Sequence, residues 1–332
     1  MKKAILSALV LGTLAVFPAH AQTYNLTLTG ASPGGLWSRI GAGVDAAIAK
    51  AYPGSTITYQ TSSGGLANVP MVAAGKAPMG LALDGDLAVA KAGLAPFKSP
   101  ITNVRVLFRV YTSESRFQAT HLMVNKDFAD KHGIKSFADI VNKKLPIRVA
   151  INRRGNLDSD VGKMVMSEMG ATPKAIESWG GQLVYAASKE MVALMLDRRI
   201  DAVALGIAFG HPRIKEIAKG ITPVLLDIPQ NVAQKVANTY GGESCKFKPG
   251  EYEFAPQGGT SVCVGGLILV SDKMDNKTAY DLAKAMITQI ETFKDKSHRL
   301  IKKTATPKSM TTKSVVPFHP GAAKYYKEAG LM

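Results

Sequence analysis

One local pattern occurs three times in succession near the start of the chain, and it restricts the fold more than any other feature. Leu26 and Leu28 alternate with polar residues, as in a half-buried strand. Residues 30–35 form a loop of small residues. Leu36, Ile40, Val44, Ala47, Ile48 and Ala51 then recur at helical spacing until Pro53 and Gly54 end the run. Residues 56–60, the loop Thr61-Ser62-Ser63-Gly64-Gly65 and the apolar face Leu66, Val69, Val72 and Ala73 repeat the pattern. Residues 79–83, Asp84-Gly85-Asp86 and a short helix to Gly93 make the third unit. Strands alternating with helices in this way build a parallel sheet with crossover helices on its faces, so the expected fold is α/β.

The pattern pauses at residues 104–111 and 120–124, two β-rich runs around the charged turn 112–116, and then resumes. Residues 147–151, 183–185 and 201–205 read as strands, and 157–169 and 188–199 as helices whose methionines fill the core. Further on, 262–270 reads as one long buried strand and 276–293 as the longest helix. This organisation predicts a first lobe at residues 22–117 and a second lobe at 118–222. A return to the first lobe follows at 223–332, closing with a C-terminal helix. Open α/β sheets bind ligands beyond the carboxyl ends of their strands, and in two facing lobes those ends meet across one cleft.

Residues 1–21 stand outside this scheme. Lys2 and Lys3 precede a short apolar run at 4–17, Pro18 breaks it, and Ala19-His20-Ala21 supplies a small-residue cleavage site. They read as a cleaved signal peptide, which places the mature chain in the periplasm. No stretch is long enough to span a membrane, and no cysteine follows the apolar run to carry a lipid. What remains of the 332 residues is too long for one ordinary core and suits two domains. The 41 lysines and arginines outnumber the 25 acidic residues, but they are scattered without aromatic interleaving, which argues against nucleic acid. Steering of an anionic solute and a merely solvated basic surface remain as readings of that charge. Cys245 and Cys263 read as a disulfide in an oxidising compartment; the alternative is two separate thiols, with Cys263 in a strand core. A monomer without cofactor is expected.

The loops at the strand ends carry the candidate chemistry. The small-residue loop 30–35 and the helix start at Leu36 present backbone N–H groups suited to a carboxylate or phosphate, a tight turn being the plainer reading. Gly30-Ala31-Ser32-Pro33-Gly34 also matches the G-x-S-x-G turn of serine hydrolases. The residue after the serine is Pro33, however, which lacks the N–H that the oxyanion hole requires. Ser62, Ser63 and Gly64 suit either a helix cap or a ligand. Asp86 reads as a cap, and Asp84 as a candidate partner for a cationic group on the ligand. In Asn152-Arg153-Arg154-Gly155-Asn156 two arginines stand at a helix mouth, where the macrodipole disfavours them. Either Asp158 and Asp160 pair with them locally, or one of Arg153 and Arg154 grips a ligand carboxylate. The histidines show no metal-ligand spacing and no catalytic motif is complete, so neither metal nor catalysis is expected.

These motifs resemble those of the TAXI family, the TRAP-associated extracytoplasmic solute receptors, from about Leu26 almost to the C-terminus. The loop 30–35 stands at the family's Gly- and Thr-rich signature. The loop 61–65, with Ala73-Ala74-Gly75-Lys76-Ala77-Pro78-Met79-Gly80, is similar to the next one, apart from an acidic residue usual near Pro78. Asp197-Arg198-Arg199-Ile200-Asp201-Ala202 resembles a further segment. Phe318-His319-Pro320-Gly321-Ala322-Ala323-Lys324-Tyr325-Tyr326 closely matches the closing motif, with His319 structural. The resemblance implies a type II periplasmic-binding-protein fold, two α/β lobes around a ligand cleft. It also implies delivery of a carboxylate, amino acid or keto acid to the membrane subunits of a TRAP transporter. Carried onto this chain, it puts Ala31, Ser32, Gly35, Leu36 and Trp37 in the first lobe's pocket. It puts Asn156, Asp158 and Ser159 in the second lobe's, with Gly206, Ile207, Ala208 and Phe209 on the following loop. Ser32-Pro33, Leu36-Trp37 and Arg153-Arg154 depart from the family pattern, and suit an aromatic or larger organic acid better than glutamate. The rival readings are the binding component of an ABC importer, a sensor partner, and a serine hydrolase using Ser32.

Overall fold

The computed structural model describes residues 22–332; the expected signal peptide lies outside the described residues. The three opening units fold as their patterns require. β1 (Asn25–Thr29) pairs in parallel with both β2 (Thr56–Gln60) and β3 (Met79–Leu83). The helix Leu36–Ala51 crosses over between the first two, burying Ile40, Val44, Ala47 and Ile48 completely. Its periodic apolar face and the fully apolar β3 are the two surfaces that make the first core. β4 (Val104–Tyr111) forms the far edge of the same sheet.

Residues 112–118 carry the chain into a second sheet. It comprises β5 (Ala119–Asn125), β6 (Arg148–Ile151), β7 (Gln182–Tyr185), β8 (Ala202–Ile207), β9 (Pro223–Leu225), β10 (Glu243–Phe247) and β11 (Gly259–Cys263). Its order is β10-β11-β5-β8-β6-β7, with β9 also on β5. β12 (Gly266–Ser271) then re-enters the first sheet, antiparallel between β3 and β4, to give the order β2-β1-β3-β12-β4. Two α/β layers result, and the α/β class expected from the opening units holds.

The point of return differs from the expectation at residue 223. β9, β10 and β11 all belong to the second sheet, so the chain goes back only between Cys263 and Gly266. The apolar run 262–270 is accordingly not one strand. Both of its halves are buried, which hides the break, but Val264 and Gly265 lie between strands of different sheets. Only a glycine fits there, because a Cβ on Gly265 would lie 2.6 Å from Asp84 Oδ2. The long helix is likewise interrupted at Gln289, giving Asn276–Thr288 and Ile290–Lys296.

The two crossing segments run side by side: Val264 N–H donates to the Gln118 carbonyl at 3.1 Å. Beside them Arg109 of β4 and Asp84 form a buried ion pair at 2.5 Å, with Asp84 N–H donating to the Gly265 carbonyl at 3.0 Å. Arg109 also donates to the Thr312 and Lys313 carbonyls at 3.2 and 2.6 Å, and Ser314 Oγ donates to Asp84 at 2.5 Å. The C-terminal segment is thus tied to the crossing segments. It ends in the helix Pro320–Glu328, whose first turn His319 caps by accepting from Gly321 N–H.

Cys245 and Cys263 are joined in a disulfide that links β10 to β11. The loop between them carries Tyr252, which stacks on Phe254 and packs edge-on or tilted against Phe247 and Phe209. The Tyr252 hydroxyl accepts from Gly210 N–H at 2.9 Å. Among the described residues no helix is long and apolar enough to cross a membrane.

Candidate ligand-binding site

A cavity of about 460 Å³ lies between the two lobes, at the carboxyl ends of strands from both sheets. From the first lobe it takes the loop and helix start containing Ala31, Ser32, Gly35, Leu36 and Trp37. From the second it takes Arg153, Asn156, Asp158, Gly206, Ile207 and Ala208. Phe117 and Gln118, on the first crossing segment, also line it.

The first loop is shaped from beneath. Tyr59 of β2 lies where a Cβ on Gly30 would be, and its hydroxyl accepts from Ala31 N–H at 2.7 Å. Asn68 Nδ2 donates to the Gly30 carbonyl at 2.8 Å, and Ser62 Oγ lies 2.5 Å from the same oxygen. Ser62 is therefore a support for the 30–35 loop, and neither it nor Ser63 nor Gly64 lines the cavity. Behind the helix start, the Trp37 indole donates to the Tyr111 hydroxyl at 3.1 Å, and Tyr111 packs edge-on against Phe117. These rings give the cavity an apolar wall.

The two arginines separate. Arg153 Nη2 reaches across the cleft to Ser32 Oγ at 2.5 Å. Arg154 turns away and lies 3.8 Å over the Tyr185 ring, outside the cavity. The side-chain contact of Ser32 among the described residues is thus with a guanidinium, which is not a base. Asp84 does not line the cavity either, and its carboxylate is paired with Arg109. Ser159 is buried and donates to the Asn156 carbonyl at 2.9 Å, a local turn contact. Phe209 belongs to the aromatic cluster of the disulfide loop, beneath Arg116 at 4.3 Å.

Several cavity residues were not anticipated: Arg39, Ser188, Lys189, His211, Arg213 and His298. Arg213 sits in the first turn of the helix Pro212–Gly220, opposed to the macrodipole as the 153–154 pair was, so the same signal was present in the sequence. Its guanidinium donates to Ser188 Oγ, and burial pushes its pKa down. Among the described residues, Arg39, Arg153, Lys189 and Arg213 form no ion pair. His211, on the second lobe, is held down at about 4 by burial and by the nearby Arg213, His298 and Arg299. Burial, with Arg39 and Arg299, lowers His298 on the first lobe. The cavity lining thus brings positive charge from both lobes together with no ion pair among the described residues, Glu216 being a more distant acid that acts on Arg213. Two acids lie deeper. Burial raises Asp158 to about 6, against the opposing effect of hydrogen bonds from Gln118 at 2.5 Å and Asn152 at 3.2 Å. Burial raises Asp86 to about 8, and the Asp158 charge adds to it.

The profile of the NMT1-like family matches residues 28–330, nearly the whole of this two-lobed architecture. The chain belongs to the NMT1-like family. NMT1-like proteins are periplasmic solute-binding proteins. The fold of this member is similar to that of MatC from Rhodopseudomonas palustris with bound malate, at TM-score 0.53 and 12% identity over 84% of this chain and 88% of that one. It is also similar to PhnD1 from Prochlorococcus marinus in complex with methylphosphonate, at 0.53 and 9% over 93% and 99%. A third is Rpa4515 from R. palustris with adipate, at 0.52 and 14% over 93% and 94%.

Proposed function

We propose that this protein captures a small organic anion between its lobes in the periplasm and hands it to a TRAP-type membrane transporter. The observation that carries the reading is the cavity whose lining cations, Arg39, Arg153, Lys189 and Arg213, come from both lobes and have no acidic partner among the described residues. Of these, Arg213 is partly buried and Arg39, Arg153 and Lys189 are exposed; a guanidinium held partly out of water without an ion pair is costly, and a carboxylate, phosphonate or sulfonate removes that cost. The uncapped start of the helix Leu36–Ala51, with no acidic residue in its first turn, adds its positive end to the same space. The apolar wall of Trp37 and Phe117 suits the body of an aromatic or branched acid. Malate, methylphosphonate and adipate, bound by proteins of similar fold, are all small anions. Binding by several groups from two lobes favours closure about the crossing segments.

The TRAP assignment rests on the closing motif at 318–326 and on the signature at 61–80. The test is a thermal-shift screen of the mature protein against carboxylates, phosphonates and sulfonates, after mass spectrometry of the denatured sample for a co-purified solute. A ligand of the folded state raises the midpoint by mass action. Arg153→Ala and Arg213→Ala are each expected to weaken the hit by about tenfold to a hundredfold, the worth of one hydrogen bond to a charged group. A tight neutral ligand, unaffected by both substitutions, would overturn the reading. In vesicles with its membrane partner, uptake driven by a sodium gradient supports the TRAP type, and uptake that requires ATP refutes it.

A further inference from the structure

Two histidines of the cavity wall, one from each lobe, share an arrangement. His211 of the second lobe is the N-cap of the helix Pro212–Gly220, and its Nδ1 accepts from Arg213 N–H at 3.1 Å. His298 of the first lobe is the N-cap of the helix Arg299–Thr304, and its Nδ1 accepts from Leu300 N–H at 3.3 Å. A neutral ring whose Nδ1 accepts carries its proton on Nε2, at the far side of the imidazole. Both rings line the cavity and are partly exposed, and neither Nε2 has a hydrogen-bond partner among the described residues. Their positions are built into the fold. Gly210, at φ +66°, turns the chain into His211, and its N–H is held by Tyr252 at 2.9 Å. On the other lobe, Gly43 lets the segment before His298 lie directly on the helix Leu36–Ala51. A Cβ on Gly43 would collide with Ser297 Oγ and lie 2.8 Å from the Phe293 carbonyl. Gly43 is one turn beyond Arg39, so this close packing brings His298 up beside that arginine in the cavity lining.

We propose that His211 and His298 are uncharged hydrogen-bond donors to the bound solute, one from each lobe, and that together they latch the closed cleft. This rests on the reading of the cleft as an anion receptor. The two rings line one cavity of about 460 Å³, so a single small solute can reach both. Protonating either ring would put a hydrogen on Nδ1, break the helix cap and set a positive charge against a helix N-terminus. Burial, then Arg213, His298 and Arg299, favour the neutral form of His211; burial, then Arg39 and Arg299, favour it for His298. The pair therefore adds donors to a cleft whose charge comes from Arg39, Arg153, Lys189 and Arg213. The two kinds of group act at different moments. Cations attract an anion from a distance and govern its arrival, whereas a neutral N–H acts only at contact, once the lobes have closed on the solute. Loss of a latch donor should speed departure and leave arrival unchanged.

The probes are malate, adipate, methylphosphonate and 3-phenylpropionate, added to mature protein shown by mass spectrometry to be ligand-free. Calorimetry gives the affinity, and stopped-flow fluorescence of the cavity residue Trp37 gives the two rates. Asparagine is a favoured N-cap whose side chain is too short to put an N–H where Nε2 stands. His211→Asn and His298→Asn therefore keep the helix caps and remove the donors. Each should raise the dissociation rate of the tightest probe about tenfold, the worth of one hydrogen bond to a charged group, and change association less than about twofold. The melting midpoint without probe should stay at the parent value. The ratio of parent to variant dissociation rates should hold from pH 8 to pH 6; a ratio is read because Asp86 and Asp158 line the same cavity and titrate across this range. NMR of isotope-labelled histidine rings should show both in the neutral Nε2–H tautomer at pH 7. Either variant carries the test alone if the other folds poorly. Unchanged dissociation in the variants, a ratio that grows as pH falls, or charged rings at pH 7 overturns the latch and leaves the anion receptor standing. If no probe binds, both fall.

Discussion

Replacing Asp84 with alanine should damage stability severely and solute affinity little, because its carboxylate braces the buried Arg109 beside the segments that cross between the lobes. Asp84 and Arg109 are both nearly inaccessible, with side-chain exposures of 4% and 5%, and meet at 2.5 and 3.0 Å. Without Asp84 the guanidinium keeps two backbone carbonyl acceptors, from Thr312 and Lys313, but no counter-charge. Breaking a buried pair from one side costs about 3–5 kcal/mol. In a protein of this size that corresponds to a fall in melting temperature of roughly 10 °C. The double variant Asp84→Leu/Arg109→Met removes both charges and fills similar volume, so it should recover most of the loss. The assay is urea denaturation of the parent, both singles and the double, read by circular dichroism, with solute titration beneath each midpoint. A cost below about 1 kcal/mol for Asp84→Ala, together with a tenfold or greater loss of affinity, would refute the reasoning and return Asp84 to the binding site.

Removing the disulfide by Cys245→Ser/Cys263→Ser should cost about 3 kcal/mol in the chain-entropy model, measured by denaturation against the parent with and without reductant. The same change frees the loop holding Tyr252 against Gly210, so affinity should fall as well, because Gly206, Ile207 and Ala208 precede that contact in the cavity wall. Asp86 also sets a pH dependence. Its folded pKa, about 8, lies above its unfolded value, so the stability it allows is complete below about pH 4 and declines as pH rises towards 8. Melting curves of Asp86→Asn across that window should be flatter than those of the parent; an identical slope would show that Asp86 is already ionised.

The alternation in β1 and β2 and the apolar run of β3 made the first sheet legible, because each sits in its own strand–loop–helix unit with clear punctuation. The return point was not legible. Residues 262–270 are uniformly apolar because both sheets bury their part, and no polar residue marks where one stops. Asp84 and Asp86 open the same helix, and nothing local separates them. Arg109, far along the chain on β4, decides that Asp84 is the structural one, and Gly65, from another helix, leaves Asp86 against the cavity wall. The loop 30–35 announced itself through its glycines. Ser62 and Ser63 looked equivalent to it, yet their loop lies one layer back, where the Ser62 hydroxyl meets the Gly30 carbonyl and the Asn68 side chain. Of the two arginines, Tyr185 captures one ring-face on and so leaves the cleft to the other.

The placement of β12 has a consequence for how the chain comes to be folded as it emerges N-terminus first. The second sheet is one continuous stretch of sequence, finished once residue 263 is out. The first sheet has β3 ending at Leu83 and β4 beginning at Val104, and the strand that must lie between them starts only at Gly266. Until then β3 and β4 have no strand to join them and expose backbone edges that invite pairing with another chain. The later lobe in the sequence is therefore the earlier one to mature. A chain cut short before residue 266 should carry a sound second lobe attached to a sticky, unfinished first one.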